Sequence, residues 1–201
     1  MPEITSIKPQ KNGKRVNIYL DDKFGFGIDL ESYVVLGLKV GKIYSDEEIN
    51  NIIKKAQFQK TLDKLLRFAT LRPRSEREIK DWFRRKEVHE SLNDELFKRL
   101  KHLELLDDQK FTKWWIDQRI SFKPRGIKAL KYELFQKGID KEIINKVLED
   151  SEIDEVKIAK GLLERNSYKW RNLKGFEERQ KKSQFLAGKG ISWDSIKKLV
   201  N

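Results

Sequence analysis

The sequence contains no cysteine, and its 201 residues include only two histidines and four prolines. Without cysteine the chain forms no disulfide and no thiolate metal site, which is typical of proteins from a reducing compartment. No apolar run approaches the ~20 residues that a membrane-spanning helix requires. The first residues also lack the basic and then apolar start of a signal peptide. We therefore expect a cytoplasmic protein with no membrane segment.

Motifs that indicate catalysis are also missing. Neither the phosphate-binding pattern GxxxxGK[ST] nor the nucleophile pattern GxSxG occurs. His89 and His102 lack a third metal ligand or an orienting acid at a fixed spacing. Asp107 and Asp108 suit the positive end of a helix without needing a metal. We predict that the protein is not an enzyme and that it binds no cofactor and no metal.

What the sequence has in excess is positive charge. The formal net charge is +12, but residues 1–50 carry seven basic and eight acidic side chains. The entire excess therefore belongs to residues 51–201, which carry 37 basic and 24 acidic side chains. Such a surface attracts polyanions at long range, and the attraction weakens as the salt concentration rises.

Residues 3–29 alternate between apolar and polar side chains, as strands do. The Asn-Gly pair at residues 12–13 is a hairpin turn signal, and the two aspartates at residues 21–22 mark a second turn. We predict a three-stranded antiparallel sheet. We also predict a helix over residues 29–36 that covers the sheet, because so small a sheet is marginal alone.

A tetrapeptide recurs three times in the helical part that follows. Its versions are KEVH at residues 86–89, KGID at residues 137–140 and KGIS at residues 189–192, which lie 51 and 52 residues apart. Self-similarity at such a period is the signature of a repeat protein. We therefore predict a mostly α-helical fold of tandem three-helix repeats in an elongated, curved array, preceded by the small antiparallel β-sheet module.

The same spacing sets the expected domain boundaries. We place a sheet-plus-helix module at residues 1–56, repeat 1 at residues 57–106, repeat 2 at residues 107–152 and repeat 3 at residues 153–201. Helix starts are marked by S-x-x-E pairs, in which each side chain satisfies a free amide of the other residue. Ser45 with Glu48 and Ser75 with Glu78 have this spacing.

Charge alternates along the repeats. Residues 54–86, 119–137 and 160–189 carry net charges of +8, +5 and +6, whereas residues 87–108 and 140–155 carry −4 and −5. The middle helix of every repeat is therefore basic, and the last helix is acidic. Stacked repeats place equivalent helices along one side of the molecule, so the basic helices predict a stripe that binds a polyanion. The alternative is that attraction between oppositely charged surfaces holds adjacent repeats together.

The candidate binding residues are the cations of this stripe and one aromatic side chain. They are Arg72, Arg74, Arg77, Lys80, Arg84 and Arg85 in repeat 1, Arg119, Lys123, Arg125, Lys128, Lys131 and Tyr132 in repeat 2, and Lys174, Arg179, Lys181 and Lys182 in repeat 3. Arginine suits phosphate or carboxylate through its planar fork, and lysine acts as a mobile point charge. Phosphate contacts give affinity without sequence preference, and the chain has no base-reading motif.

Aromatic side chains in repeat 2 have two expected roles. Tyr132 falls on the outer face of its helix, where it could stack on unpaired bases. Trp115 shares a helical stripe with Phe111 and Phe122, and Trp114 lies near the edge of that stripe, so we predict that both tryptophans pack in the core.

Four segments in a fixed order resemble the RecX family of recombination regulators. They are RPRSE at residues 72–76, LDD at residues 106–108, PRGI at residues 124–127 and QFL at residues 184–186, together with the repeated tetrapeptides. The likeness extends over residues 57–201, and the amino-terminal hairpin module resembles one found in part of the family. Glu87 departs from the pattern, since family members often have glycine at that place.

The resemblance implies a curved helical modulator of the RecA recombinase that acts in DNA repair and the SOS response. Such proteins lodge in the groove of the RecA–DNA filament and limit its growth, its ATP hydrolysis and strand exchange. Many also bind single- or double-stranded DNA directly. We therefore expect a cytoplasmic monomer whose partners are the RecA filament and DNA. The alternative is a stand-alone, sequence-nonspecific DNA-binding protein that acts without RecA.

Overall fold

The amino-terminal part of the chain forms an antiparallel sheet of three strands, as predicted. The computed structural model describes residues 1–11 and 13–200. In their order across the sheet the strands are β1 (Ile4–Pro9), β2 (Arg15–Leu20) and β3 (Lys23–Asp29). Ile18 in the central strand lies opposite Ile7 on one side and Phe26 on the other. Asn12 of the predicted first turn lies outside the described residues.

Two helices follow the sheet. The first is α1 (Leu30–Val35), which begins where the side chain of Asp29 accepts a hydrogen bond from the Ser32 amide, 2.8 Å away. The second is α2 (Asp46–Thr70), which begins at the predicted capping box of Ser45 and Glu48. Because α2 contains neither glycine nor proline, it continues unbroken through residues 56 and 57, where the sequence suggested a domain boundary.

Most of the cover over the sheet comes from α2, whereas residues 29–36 contribute only the partly buried Tyr33 and Leu36 to it, so the prediction for this segment is confirmed in part. No residue of α1 is buried, and Val35 is 79% exposed. Instead, Ile49 and Ile52 of α2 join Ile18 and Ile28 of the sheet in one hydrophobic cluster. The physical reason is length, since six residues of α1 present too little apolar surface to cover three strands.

The rest of the chain is helical. The helices are α3 (Glu76–Arg85), α4 (Asn93–His102), α5 (Asp108–Phe122), α6 (Ile127–Gln136), α7 (Lys141–Asp150), α8 (Glu155–Arg165), α9 (Gly175–Gly188) and α10 (Trp193–Val200). Short 3-10 turns occupy Glu90–Leu92 and Ser167–Lys169. The predicted fold class, mostly α with tandem three-helix repeats after a small antiparallel sheet, is confirmed.

The chain divides into two compact units. Unit 1 comprises residues 1–72 and 88–100, and unit 2 comprises residues 73–87 and 101 onward. Unit 2 therefore contains α3 together with repeats 2 and 3. Repeat 2 has its own core around Phe111, Leu130 and Leu134, and repeat 3 has a separate core around Leu186 and Ile191. Within the described residues, no helix is both long and apolar enough to cross a membrane.

The aromatic residues of α5 confirm one prediction and correct another. The rings of Trp114 and Trp115 lie 5.9 and 5.8 Å from that of Phe111, and both tryptophans pack against the repeat 2 core. Phe122 does not join them, since it is 79% exposed. It is the last residue of α5, where the helix has passed beyond the core that its earlier turns contact.

Candidate nucleic-acid interface and the contacts between repeats

A carboxylate from repeat 2 accepts a hydrogen bond from a free backbone amide at the start of α3. The backbone amide of Glu76, the first residue of α3, donates to the Asp108 carboxylate over 2.9 Å. At the same helix start the Ser75 hydroxyl donates to the backbone carbonyl of Lys137 over 2.8 Å. The first amides of a helix have no acceptor within the helix, so groups from the following repeat supply what α3 itself lacks. We call this set of contacts the first joint.

The same arrangement recurs between repeats 2 and 3, which we call the second joint. The amide of Ile127, the first residue of α6, donates to the Glu155 carboxylate over 2.9 Å. The amide of Gly126 donates to the carbonyl of Lys189 over 2.9 Å. Ile127 lies 51 residues after Glu76, and Glu155 lies 47 residues after Asp108. Equivalent chain positions therefore make equivalent contacts at both joints.

The two joint carboxylates differ in their surroundings. Burial raises the pKa of Asp108, with added repulsion from Glu76 and Asp107 that its hydrogen bond to the Glu76 amide only partly offsets. Burial alone would also raise the pKa of Glu155. There, however, hydrogen bonds from Ser192, Ile127 and Ser195 outweigh it and lower the pKa. Relative to the unfolded chain, folding therefore favours the ionised form of Glu155 at the second joint and disfavours that of Asp108 at the first.

Glycine allows the close approach of the backbones at each joint. Gly190 has a φ of +79°, and a Cβ atom at its position would lie 2.4 Å from the Ala129 Cβ. Gly138 has a φ of +78°, and a Cβ there would lie 2.7 Å from the Arg77 Cβ. Both glycines follow the lysine of the repeated tetrapeptide. Glu87 holds the corresponding place in repeat 1 at a φ of +50°.

Glu133 of α6 gathers polar groups from α5 and from the turn that follows it. Its carboxylate lies 2.5 Å from Arg119 Nε, 3.0 Å from Trp115 Nε1 and 3.9 Å from Arg125 Nε. The Arg119 guanidinium also lies 4.3 Å from the Trp115 ring centroid. Because these side chains are partly buried and their charges are balanced, the two arginines support repeat 2 and are less available to a partner.

Lys137 and Glu78 form an ion pair across the first joint. Lys137 Nζ lies 2.8 Å from Glu78 Oε1 and 4.9 Å from the Trp115 ring centroid. The Ser75 hydroxyl accepts from the Glu78 amide as predicted, but the Glu78 carboxylate pairs with Lys137 and Arg74. Ser75 and Glu78 therefore share one half of the predicted capping box, and the glutamate joins two repeats.

Six of the sixteen candidate residues lie beside carboxylates. The pairs are Arg74 with Glu78 (4.0 Å), Lys80 with Glu76 (2.8 Å), Arg84 with Asp81 (2.7 Å), Arg119 and Arg125 with Glu133 (2.5 and 3.9 Å), and Lys182 with Glu178 (2.6 Å). Exposed pairs such as Lys80–Glu76 are weak and can exchange partners. The partly buried arginines of the set are held in place.

The other candidates remain on the surface. Seven of the candidates are exposed cations for which the described part of the chain provides no ion pair, namely Arg77, Arg85, Lys123, Lys128, Lys174, Arg179 and Lys181. Lys131 donates to Asn145 over 2.8 Å, Arg72 is half-buried, and Tyr132 is 66% exposed. Arg77 and Lys128 occupy equivalent positions on α3 and α6, 51 residues apart, and both belong to unit 2.

Two lysines were missed by the sequence analysis. Lys169 Nζ and Lys189 Nζ lie 4.9 and 5.3 Å from the ring centroid of Phe185. Lys189 belongs to the third tetrapeptide, so the repeat itself contained the signal. Lys169 lies in the connection between α8 and α9, which has no counterpart of that length in repeat 2. Among the described residues, no three histidine, aspartate or glutamate side chains are placed to hold a metal ion.

The fold and the joints define a helical-repeat protein with an amino-terminal sheet module. Residues 2–45 match the family model "Regulatory protein RecX N-terminal domain", and residues 107–148 match "RecX, second three-helix domain". Regulatory protein RecX of Bacillus licheniformis is 35% identical over 198 residues, which cover 98% of this chain and 75% of that protein. The chain belongs to the RecX family of regulatory proteins.

Other relatives cover the chain in part or in full. Regulatory protein RecX of Listeria monocytogenes is 34% identical over 149 residues, 74% of this chain, and the chain spans only 55% of that relative's length. A crystal structure of regulatory protein RecX matches all of this chain and 98% of its own, with a TM-score of 0.75 at 25% identity. RecX from Lactobacillus salivarius matches 71% of this chain and 93% of its own, with a TM-score of 0.58 at 25% identity.

We predict that Glu155→Gln lowers the free energy of unfolding by about 2 kcal/mol at neutral pH, because a charged acceptor of several hydrogen bonds is lost. The pKa of Glu155 is lowered by folding. Its contribution is therefore present above the ordinary glutamate pKa and disappears as the pH falls through the folded value. Urea denaturation at neutral and acidic pH measures the difference from the unmodified chain, which should shrink on acidification.

Asp108→Asn at the first joint is the matched control. Asparagine keeps an acceptor for the Glu76 amide, and the raised pKa of Asp108 means that its charge is less favourable in the folded chain than in the unfolded one. We expect its stability to stay within about 1 kcal/mol of the unmodified chain. Equal losses for both variants at neutral pH would contradict the difference between the joints.

We predict that Gly190→Ala destabilises the protein by about 2 kcal/mol or more, since alanine at this φ is strained and its Cβ would overlap Ala129. Gly161→Ala in α8 is the control, because a Cβ there meets no atom within 4 Å. This substitution should raise the free energy of unfolding by at most about 1 kcal/mol. Thermal melts followed by circular dichroism compare the two. Melting temperatures that shift in the same direction in both variants would refute the close approach of Gly190 to Ala129.

Proposed function

We propose that this chain is a non-enzymatic, cytoplasmic regulator that binds the RecA recombinase or its DNA filament. It acts through the basic face of its middle helices and limits filament growth, ATP hydrolysis and strand exchange. The observation that carries the proposal is membership of the RecX family over 98% of the chain. The family's regulatory role and the resemblance described above support RecA as the partner.

The face that we assign to binding centres on Arg77 and Lys128. Both are exposed, neither has a carboxylate partner in the described part of the chain, and the joints fix the starts of α3 and α6, which carry them. Two cations that belong to one compact unit can attract the same polyanion. Arg84 and Arg125 contribute less, because Asp81 and Glu133 already balance their charge.

Regulation of this kind needs binding and no bond chemistry. A ligand that binds one assembly state of its partner more tightly than another shifts the population toward the favoured state. A protein lodged against a nucleoprotein filament would therefore change the rate of subunit addition and, through it, ATP hydrolysis. Since phosphate contacts dominate such attraction, the effect should weaken as salt increases.

The second candidate is sequence-nonspecific DNA binding without RecA, by a monomer. Tyr132 favours it, because this side chain is 66% exposed and lies one helical turn after Lys128. A cation next to an exposed aromatic ring suits a phosphate and an unpaired base. The two candidates differ in one respect, since only the first requires an effect on RecA when DNA is in large excess.

We predict that the unmodified chain lowers the DNA-dependent ATPase activity of RecA at a concentration stoichiometric with RecA, even when single-stranded DNA is saturating. The double variant Arg77→Glu with Lys128→Glu should need at least about fivefold more protein for half-maximal effect, because each reversal turns attraction into repulsion. The control is Lys141→Glu with Lys146→Glu, which makes the same charge change at two exposed positions of α7. The control pair should stay within about twofold of the unmodified chain.

Three results of this assay are informative. An unchanged RecA ATPase with the unmodified chain, together with DNA binding in the absence of RecA, would favour the second candidate. Equal losses in both double variants would mean that net charge matters and the assigned face does not. Circular dichroism of every variant shows whether the helical content is retained.

A further inference from the structure

Four cations from two repeats converge next to the second joint. Lys169 and Lys189 of repeat 3 share the ring of Phe185, at 4.9 and 5.3 Å from its centroid. The carbonyl of Lys189 accepts from the Gly126 amide, so this lysine lies directly against the turn that carries Lys123 and Arg125. We call Lys123, Arg125, Lys169 and Lys189 the joint cation cluster.

The positive charges in the cluster act on one another. Partial burial lowers the pKa of Lys189, and the charges of Arg125, Lys169 and Lys123 lower it further. The repulsion between like charges held close together falls when an anion binds among them. The only carboxylate that an ion pair brings to the cluster, in the part of the chain that the structure describes, is Glu133 at 3.9 Å from Arg125, and it also serves Arg119.

Comparison with the first joint shows why charge is left over at the second. Lys137 is the counterpart of Lys189, and Glu78 neutralises it at 2.8 Å. The position 51 residues after Glu78 is Ala129, which offers no carboxylate. An aromatic ring lies next to the lysine at both joints, but it comes from different helices, since Trp115 of α5 lies under Lys137 and Phe185 of α9 lies under Lys189. Because Ala129 stands where the first joint has Glu78, Lys189 lacks the carboxylate that neutralises Lys137.

An exposed aromatic residue directly precedes two of the cluster's lysines in the chain. Phe122 precedes Lys123 and is 79% exposed, and Tyr168 precedes Lys169 and is 66% exposed. Lys169 Nζ lies 5.8 Å from the Tyr168 ring centroid. An acidic protein surface would need the cations alone. Cations together with exposed rings suit a strand of nucleic acid whose bases are unpaired, because phosphates bind the charges and bases stack on the rings.

We infer that Lys123, Lys169 and Lys189 of the joint cation cluster bind the phosphodiester backbone of single-stranded nucleic acid, with Phe122 and Tyr168 stacking on its bases. The inference rests on the proposed function for the kind of partner, and it adds a site that spans repeats 2 and 3. Lys169 and Lys189 are not among the residues assigned to the binding face centred on Arg77 and Lys128, although the Lys128 amide donates to the carbonyl of Gly190, the residue after Lys189. The site recognises no sequence, since backbone contacts and stacking are both sequence-tolerant.

Binding of a fluorescein-labelled thymidine oligonucleotide by the full chain, without RecA, tests the inference through fluorescence anisotropy at several salt concentrations. Lys169→Gln with Lys189→Gln should weaken binding about tenfold and reduce the slope of log affinity against log salt by about 1.4, as expected for two lost phosphate contacts on a single strand. The control is Lys197→Gln with Lys198→Gln, which removes the same charge from exposed positions of α10 and should stay within about twofold.

Two further variants test the parts of the site separately. Ala129→Glu restores the carboxylate that the first joint has, so it should neutralise Lys189 and weaken binding while both lysines remain. Tyr168→Ala should weaken binding about five- to a hundredfold without changing the salt slope, as expected for a lost stacking contact. Thermal melts confirm that each variant is folded before its affinity is compared.

Equal losses in the two glutamine pairs, or unchanged binding in the first, would overturn the inference. A variant with Lys169→Gln and Lys189→Gln that keeps its oligonucleotide affinity but loses its effect on RecA would assign the cluster to a protein partner, which also overturns it. If the oligonucleotide result fails while the effect on RecA is retained in full, the site is wrong and the proposed function stands. The expected loss of oligonucleotide binding with no effect of the unmodified chain on RecA would support the site and refute the proposed function.

Discussion

The first amide of a repeat's middle helix is satisfied by a carboxylate that belongs to the next repeat, and unit 2 is organised around this contact. A helix start has free amides and a partial positive charge. A carboxylate accepts hydrogen bonds from these amides, and its negative charge interacts favourably with the positive end of the helix. Asp108 and Glu155 provide it from the first residue of α5 and of α8. Each carboxylate therefore fixes the position of its own helix relative to the middle helix before it.

The residues just before these carboxylates act locally. Asp107 accepts from the amides of Gln109 and Lys110, and Asp154 accepts from the amide of Lys157, so each caps its own helix. Two adjacent acids thus serve two different helices. This division explains why an acidic pair is useful at the hand-over from one repeat to the next, with no metal ion needed to account for it.

The two joints share a backbone arrangement and differ in charge. At the first, Glu78 and Lys137 neutralise each other above Trp115. At the second, Ala129 replaces the glutamate and Lys189 keeps its charge above Phe185. The packing at both joints depends on a glycine and a carboxylate, whereas binding depends on one nearby side chain. Two repeats can therefore share the same packing while only one of them binds a ligand.

Much of the fold could be read from local sequence patterns. Alternation gave the strands, S-x-x-E spacing gave the start of α2, and the tetrapeptides gave the repeats, since each of these signals arises within a few residues. The cover of the sheet by α2 could not be read, because it depends on which helix is long enough. The exposure of Phe122 depends on where the core ends, which periodicity does not record.

The binding residues were harder to assign than the fold. Arg119 and Arg125 look like surface cations in the sequence, and only the folded chain brings Glu133 beside them. Lys169 was passed over because its segment has no counterpart in repeat 2. The role of Asp108 at α3 likewise joins residues 32 positions apart, which no local spacing reveals.

The carboxylate contacts at the two joints are tested most directly by a pH titration of backbone amide protons with nuclear magnetic resonance. An amide proton bound to a carboxylate shifts when that carboxylate ionises. The amide protons of Ile127 and Ser192 should therefore titrate together, with one midpoint below the ordinary glutamate pKa. The amide proton of Glu76 should titrate with a midpoint above the ordinary aspartate pKa. Amide chemical shifts that do not change with pH, or titration midpoints at the ordinary pKa values for both carboxylates, would contradict the hydrogen bonds described at the two joints.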